Sequence, residues 1–128
     1  MVKITQRAKS PDKLVIITDS ILAAGMPRGV YKMGPMVCDT TNGKVGLLDD
    51  GVTINGSIID MFTALKNFSE FTGLTLEEAI PYATKNPAEM VGAYECVGSL
   101  EVGKNADFLV LGNNNETIAH VYVRGEKQ

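Results

Sequence analysis

The sequence predicts an α/β fold, on three observations. Leu14-Val15-Ile16-Ile17 is a run of four large apolar residues that ends abruptly in Thr18-Asp19-Ser20. A run this short without polar alternation suits a strand buried on both faces, as in a parallel sheet or barrel. Between Ser57 and Gly92 apolar residues recur at helical spacing, and from Ala106 to Val123 the pattern turns to strands.

The first strand places Asp19 at its carboxyl end, the edge of parallel α/β folds where loops gather and chemistry is done. Taken alone, Asp19 is equally a turn or helix-capping residue. A strand buried on both faces also needs a neighbour on each edge, or its backbone groups go unpaired. Nothing upstream can supply one, because only Val2 to Lys9, read as the last turns of a helix with Ile4 and Ala8 on one face, precedes the Ser10-Pro11-Asp12 break. The expectation is a chain that is part of something larger.

The middle of the chain is read from its punctuation. Ile21 to Tyr31, with Gly25, Pro27 and Gly29, is an ordered loop. Strand-like segments follow at Val30 to Met33, Met36 to Asp39 and Lys44 to Leu48, separated by turns at Gly34-Pro35 and Thr41-Asn42-Gly43, the latter a hairpin signal. Asp50 to Ser57 leads into a helix, with Ser57 as N-cap, Ile58, Ile59, Phe62, Leu65 and Phe68 or Phe71 as buried face, and Gly73 as stop. Thr75-Leu76-Glu77-Glu78 is a capping box for a second helix to about Ala83, with a kink expected at Pro81. Asn86 to Gly92 is a short third helix with Pro87 in its first turn. Gly98 to Asn105 is turn-rich. Ala106 to Leu111 and Thr117 to Val123 pair as a hairpin, and Arg124-Gly125-Glu126 closes the chain.

Composition excludes several function classes. The 128 residues suggest one domain or a piece of a larger one. With 45% hydrophobic and 21% charged residues, the balance is that of a globular protein. A net charge of -3 with scattered basic residues argues against a nucleic-acid partner. No apolar run approaches a membrane span, and the first residues lack a signal-peptide core, so no membrane partner is expected. Cys38 and Cys96, without CxxC spacing, read as two reduced thiols of a cytoplasmic protein. The single histidine, His120, lies on a terminal strand and reads as a surface or sheet residue.

The order of motifs resembles the C-terminal part of the N-acetylglucosamine-6-phosphate deacetylase family, within the amidohydrolase superfamily. The matching pieces are Val15-Ile16-Ile17-Thr18-Asp19-Ser20, Ala23-Ala24-Gly25, Gly29-Val30-Tyr31, Asp50-Gly51, Asn55-Gly56-Ser57, Ala83 to Ala88, Gly98-Ser99-Leu100 and Gly103 to Asp107. The last is common to amidohydrolases, whereas the earlier series points to the deacetylases. The resemblance implies a C-terminal segment of a (β/α)8 metal-dependent hydrolase barrel plus part of a small β-sandwich. Leu14 to Thr18 would be the eighth barrel strand, residues 1–97 the last strand, loop and helices of the barrel, and residues 98–128 strands of the sandwich.

In such a family Asp19 is the catalytic carboxylate. It takes a proton from a metal-activated water and passes it to the leaving amine nitrogen. Ile54, Asn55 and Gly56 look like the substrate-lining turn, where a glycine lets backbone approach a ligand and a following helix N-terminus favours an anion. Without the resemblance the same residues read as a plain helix entry. Asn55 stands where the family usually has a small residue, and Ile58-Ile59-Asp60-Met61 replaces a more usual small-polar pattern. Asn86-Pro87-Ala88 and Gly103 to Asp107 read as structural.

The family's divalent metal, zinc or similar, takes a glutamate and two histidines from earlier barrel strands, and this chain has one histidine in the wrong place. No metal is therefore expected in this chain alone, and no turnover by it alone. The complete enzyme would act on N-acetylglucosamine 6-phosphate, and the remaining barrel portion would be a partner. Exposed strand edges and apolar helix faces would also favour a homo-oligomer. Two other readings stand beside this one: a non-catalytic self-associating domain, in which Asp19 has no metal neighbour, and a segment of another amidohydrolase.

Overall fold

The structure, a computed structural model, describes residues 1–43 and 45–128. Packing divides them into two compact units, Met1–Ala8 with Ile16–Ala79, and Lys9–Val15 with Ile80–Gln128.

In the first unit, helix α1 (Val2–Ala8) lies where it is expected. A four-stranded antiparallel sheet follows, in the order β1 (Val30–Met33), β2 (Met36–Asp39), β3 (Val45–Leu48) and β4 (Ile54–Ser57). The first three strands are those expected from the turns; Lys44, expected to open the third, lies outside the described residues. Gly34 (φ 63°) and Gly43 (φ 70°) take the left-handed backbone their turns need. Asn42 closes the second turn, its Nδ2 donating to Val45 O and its Oδ1 accepting from Val45 N, both at 2.9 Å. Beneath the sheet Cys38 and Thr40 are fully buried. The Thr40 hydroxyl donates to Gly29 O (2.9 Å) and accepts from Gly29 N (3.1 Å), so its polar atom is satisfied.

β4 is absent from the sequence reading and corrects it. Ser57 is not a helix cap, and Ile54-Asn55-Gly56 is a strand rather than a helix entry. Helix α2 (Met61–Thr72) starts later, capped by Asp60, whose Oδ1 accepts from Thr63 N at 2.6 Å. The physical reason is that Gly56 and Ser57 are committed to pairing with β3, opposite Gly46 and Val45. α2 buries Ala64, Leu65 and Thr72 and ends at Gly73 (φ 82°), whose N–H donates to Ser69 O at 2.8 Å. Phe71, a candidate for the buried face, is exposed.

The capping box forms as read: Thr75 N donates to Glu78 Oε2 (2.8 Å), and Glu78 N donates to Thr75 Oγ1 (3.2 Å). The helix it opens, α3 (Leu76–Ala79), passes at Ile80–Ala83 into a 3₁₀ turn, because Pro81 has no N–H to continue the ladder.

Leu14 to Thr18 also needs correction. These residues carry no regular structure among those described; the nearest pairing is one parallel bridge, Ser20 to Ser57. Ile17 is 72% exposed. A strand exists only with a neighbour to satisfy its N–H and C=O groups, and the described residues supply none along this run. Among the described residues the chain is thus a small α/β fold with two sheets, which do not close into a barrel.

In the second unit, helix α4 (Lys85–Met90) carries Pro87 as its third residue, still within the first turn where an N–H has no helical acceptor. Asn86 is buried, and its Nδ2 donates to the carbonyls of both Pro11 and Leu14 at 2.7 Å. Asn86→Leu keeps the branching at Cγ but leaves two carbonyls without their donor. The expected loss is about 2–4 kcal/mol, measured by denaturant unfolding of the chain; a loss below about 0.5 kcal/mol would rule out the clamp.

Next to Pro11, Asp12 accepts from the Ser10 hydroxyl and pairs with Lys13 at 2.9 Å. The Ser10 bond first, and Lys13 second, hold its carboxyl at about 2, below the ordinary 3.8. A carboxyl depressed on folding contributes stability that is complete above 3.8 and lost as pH falls through about 2. Ser10→Ala is expected to move the Asp12 midpoint back toward 3.8, followed by NMR titration of its carboxyl carbon. An unmoved midpoint would show that the serine is not the cause.

A three-stranded antiparallel sheet completes this unit: β5 (Phe108–Gly112), β6 (Thr117–Val123) and β7 (Glu126–Lys127). The hairpin of the first two is as expected, with Phe108 stacked on Tyr122 at 4.5 Å between centroids. β7 is an addition. Arg124 (φ 52°) and Gly125 (φ 80°) form the two-residue left-handed turn that returns the chain alongside β6.

Candidate active site

Asp19 is exposed and has a left-handed backbone, φ 51°. Asp tolerates this conformation better than most residues, but it needs support. The support comes from the end of β4. Ser57 N–H donates to Asp19 O (2.8 Å), and Ile21 N–H donates to Ser57 O (2.9 Å), so the two segments bond on either side of Ser20. The Ser57 hydroxyl donates to Thr18 O. The Ser20 hydroxyl donates to Ile59 O and lies 3.3 Å from Ser57 Oγ, and Ser20 N–H donates to Thr18 Oγ1 (3.2 Å).

Gly56 lies against Asp19. Its φ is 127°, and a Cβ built on it would sit 2.7 Å from Asp19 O, 2.8 Å from Ile21 Cγ2 and 3.6 Å from Asp19 Oδ2. Only glycine permits this approach. The structure therefore brings Asp19 and Gly56, two of the four candidate site residues, together. Asn55, beside Gly56, is half-buried and directs its Nδ2 toward Met33 Sδ at 3.9 Å, a weak sulfur contact. Ile54 is 63% exposed. The helix N-terminus expected beside these residues is not there, since α2 begins only at Met61. The sequence reading missed the Thr18, Ser20 and Ser57 network. Its signal was a hydroxyl residue on either side of Asp19 and another directly after Gly56.

Among the described residues no group of three or more His, Cys, Asp or Glu side chains could hold a metal ion. His120 is exposed on β6, opposite Val110. These residues do not by themselves fit a catalytic metal. In the second unit, Ser99, Glu101, Lys104 and Asp107 are engaged in local hydrogen bonds. Lys104 Nζ donates to Ser99 Oγ (2.7 Å) and lies 3.3 Å from the Tyr94 ring centroid. Glu101 accepts from Ser99 (2.6 Å) and Tyr94 (3.1 Å), which hold its carboxyl below the usual range. Asp107 Oδ1 accepts from Arg124 N (2.7 Å).

The chain belongs to the Amidohydrolase family, whose model it matches over residues 4–127. It is similar to the N-acetylglucosamine-6-phosphate deacetylase of Bacillus subtilis (strain 168), with 35% identity over 91% of this chain and 29% of that protein. Among solved structures, it matches the deacetylase of the same name from Thermotoga maritima with TM-score 0.86 and 31% identity, over 99% of this chain and 34% of that one. It matches an aspartate-to-alanine variant of the Mycobacterium smegmatis deacetylase, in complex with N-acetyl-D-glucosamine-6-phosphate, with TM-score 0.86 and 30% identity, over 98% of this chain and 33% of that one. The chain thus spans between 29% and 34% of the length of these relatives. The resemblance read from the motifs is borne out.

Proposed function

We propose that this chain is the C-terminal segment of an N-acetylglucosamine-6-phosphate deacetylase of amino-sugar catabolism. The reaction is hydrolysis of the N-acetyl amide of N-acetylglucosamine 6-phosphate to glucosamine 6-phosphate and acetate. Residues 1–97 contribute the end of the barrel and residues 98–128 the strands of the sandwich. The observation that carries this reading is Asp19, held by Ser57 and set against Gly56 within the motif series shared with the deacetylases. The relatives' names and the sugar phosphate bound in one of them support the substrate.

Asp19 serves as the proton carrier. Its carboxylate accepts a proton from the attacking water as the new C–O bond forms. It returns that proton to the amide nitrogen as the C–N bond breaks, so the amine leaves neutral. Ile54 to Gly56 line the substrate, with Gly56 keeping the approach to Asp19 open. The divalent metal of the complete enzyme, zinc or similar, would take its ligands from residues outside this chain and would supply the acidification of the attacking water. Ile17, Val30 and Ile54 are exposed apolar residues that the remaining barrel portion would cover; a second copy of the chain is the alternative. Cys38 and Cys96 are free thiols, which supports a cytoplasmic setting.

The test is a deacetylation assay on N-acetylglucosamine 6-phosphate with added zinc, on the chain alone and mixed with a separately made N-terminal barrel fragment. Activity only in the mixture is the expected result. Activity in neither, with self-association of the chain, would favour the non-catalytic oligomer.

A further inference from the structure

We infer that Ser57 is a positioning residue for Asp19, an inference that rests on the reaction proposed above. Ser57 grips the chain on both sides of the carboxylate. Its hydroxyl donates to Thr18 O, its N–H donates to Asp19 O at 2.8 Å, and its carbonyl accepts from Ile21 N at 2.9 Å. No other described residue is hydrogen-bonded to the backbone of all three. Between these holds Asp19 turns left-handed at φ 51°. That angle sets where the Cβ, and hence the carboxylate, points. Gly56, directly before Ser57, leaves no Cβ in the way.

The two backbone bonds are available to any residue but proline at position 57, whereas the hydroxyl is kept only by threonine. It is a hydrogen bond from β4 to the residue before Asp19, so it fixes the entry into the left-handed turn as the backbone bonds fix the exit. A second hydroxyl backs it: Ser20 Oγ lies 3.3 Å from Ser57 Oγ and donates to Ile59 O, just past β4. With the hydroxyl removed, Thr18 O loses its donor and the turn is free to relax. The carboxylate then samples positions off the proton-transfer line. Displacement of a reacting group by about 1 Å costs up to ~100-fold in rate, and the loss falls on kcat because substrate contacts at Ile54 to Gly56 are unchanged.

The decisive comparison is Ser57→Thr against Ser57→Val in the enzyme reconstituted from this chain and its barrel portion. The two side chains are nearly isosteric, and only threonine keeps the hydroxyl. We expect Ser57→Thr to keep kcat within about twofold, and Ser57→Val to lower it ~10- to 100-fold with KM little changed. In the chain itself, the Asp19 Cα and Cβ chemical shifts should stay at left-handed values in the threonine variant and move in the valine variant. Ser57→Ala makes the same comparison without added methyl groups should valine prevent folding. Equal kcat in the threonine and valine variants, in an enzyme that Asp19→Asn silences, overturns the positioning role and leaves the reaction standing. If Asp19→Asn is itself fully active, or the mixture never turns over, the reaction proposal falls, and unmoved Asp19 shifts in the valine variant then overturn the positioning role too.

Discussion

Asp19→Asn in the reconstituted enzyme is expected to lower kcat by ~10²–10⁴-fold, the usual share of a general acid–base group, with KM changed by no more than about twofold. The substitution isolates the chemistry because little else about residue 19 changes. Asparagine adopts a left-handed backbone at least as readily as aspartate, so φ 51° costs nothing extra. The bond that fixes the residue, Ser57 N–H to Asp19 O, belongs to the main chain and is kept. The side chain is exposed, so no buried partner is left unpaired. What is lost is the ability to hold a proton: a neutral amide neither takes one from water nor returns one to the departing nitrogen. Steady-state kinetics on N-acetylglucosamine 6-phosphate would check it, with unfolding curves of both chains alongside. An Asn variant that turns over at the native rate would remove Asp19 from the chemistry and leave the deacetylase reading without its central residue.

What the sequence made legible follows from where each element finds its partner. The capping box at Thr75–Glu78, the Gly73 stop, the Gly34 and Asn42-Gly43 turns and the strands they separate all form from residues close in the chain, and all were readable. Two misreadings turn on partners outside the local pattern. Whether Ile54–Ser57 is a strand or a helix entry depends on β3, with which it pairs across a register shift, and on the Asp19 segment, which is distant in sequence. The local pattern of Ser57 before Ile58-Ile59 is satisfied either way, and the true cap, Asp60, lies only a few residues on. Leu14 to Thr18 has the opposite problem. Its apolar run is strand-like in composition, but a strand is a relation between neighbours, and the described residues provide no neighbour along it. In the candidate site, the motif series singled out Asp19 and Gly56, and what composition concealed was their close approach. Ser20 and Ser57 look like ordinary turn and cap residues until the register between them shows that their hydroxyls face one another and that the Ser57 hydroxyl reaches the Thr18 carbonyl.

Gly56→Ala is expected to destabilise the chain by about 3–5 kcal/mol, from two costs that cannot both be relieved. The first is conformational: φ 127° lies where side-chain-bearing residues are strained. The second is steric, with the new Cβ 2.7 Å from Asp19 O and 2.8 Å from Ile21 Cγ2. Ile21 can rotate, but the carbonyl is held by Ser57 N–H, so yielding to the methyl group means giving up the bond that sets Asp19. Gly25→Ala is the control. Gly25 is also left-handed, at φ 79°, but its Cβ would meet nothing within 4 Å, so only the conformational cost of about 1–2 kcal/mol applies. Denaturant unfolding of the two variants separates strain from contact, and the Asp19 chemical shifts report whether the carboxylate has moved. Equal losses in the two would mean that β4 retreats from Asp19 without penalty, and the close approach of Gly56 would then not be what holds the site in shape.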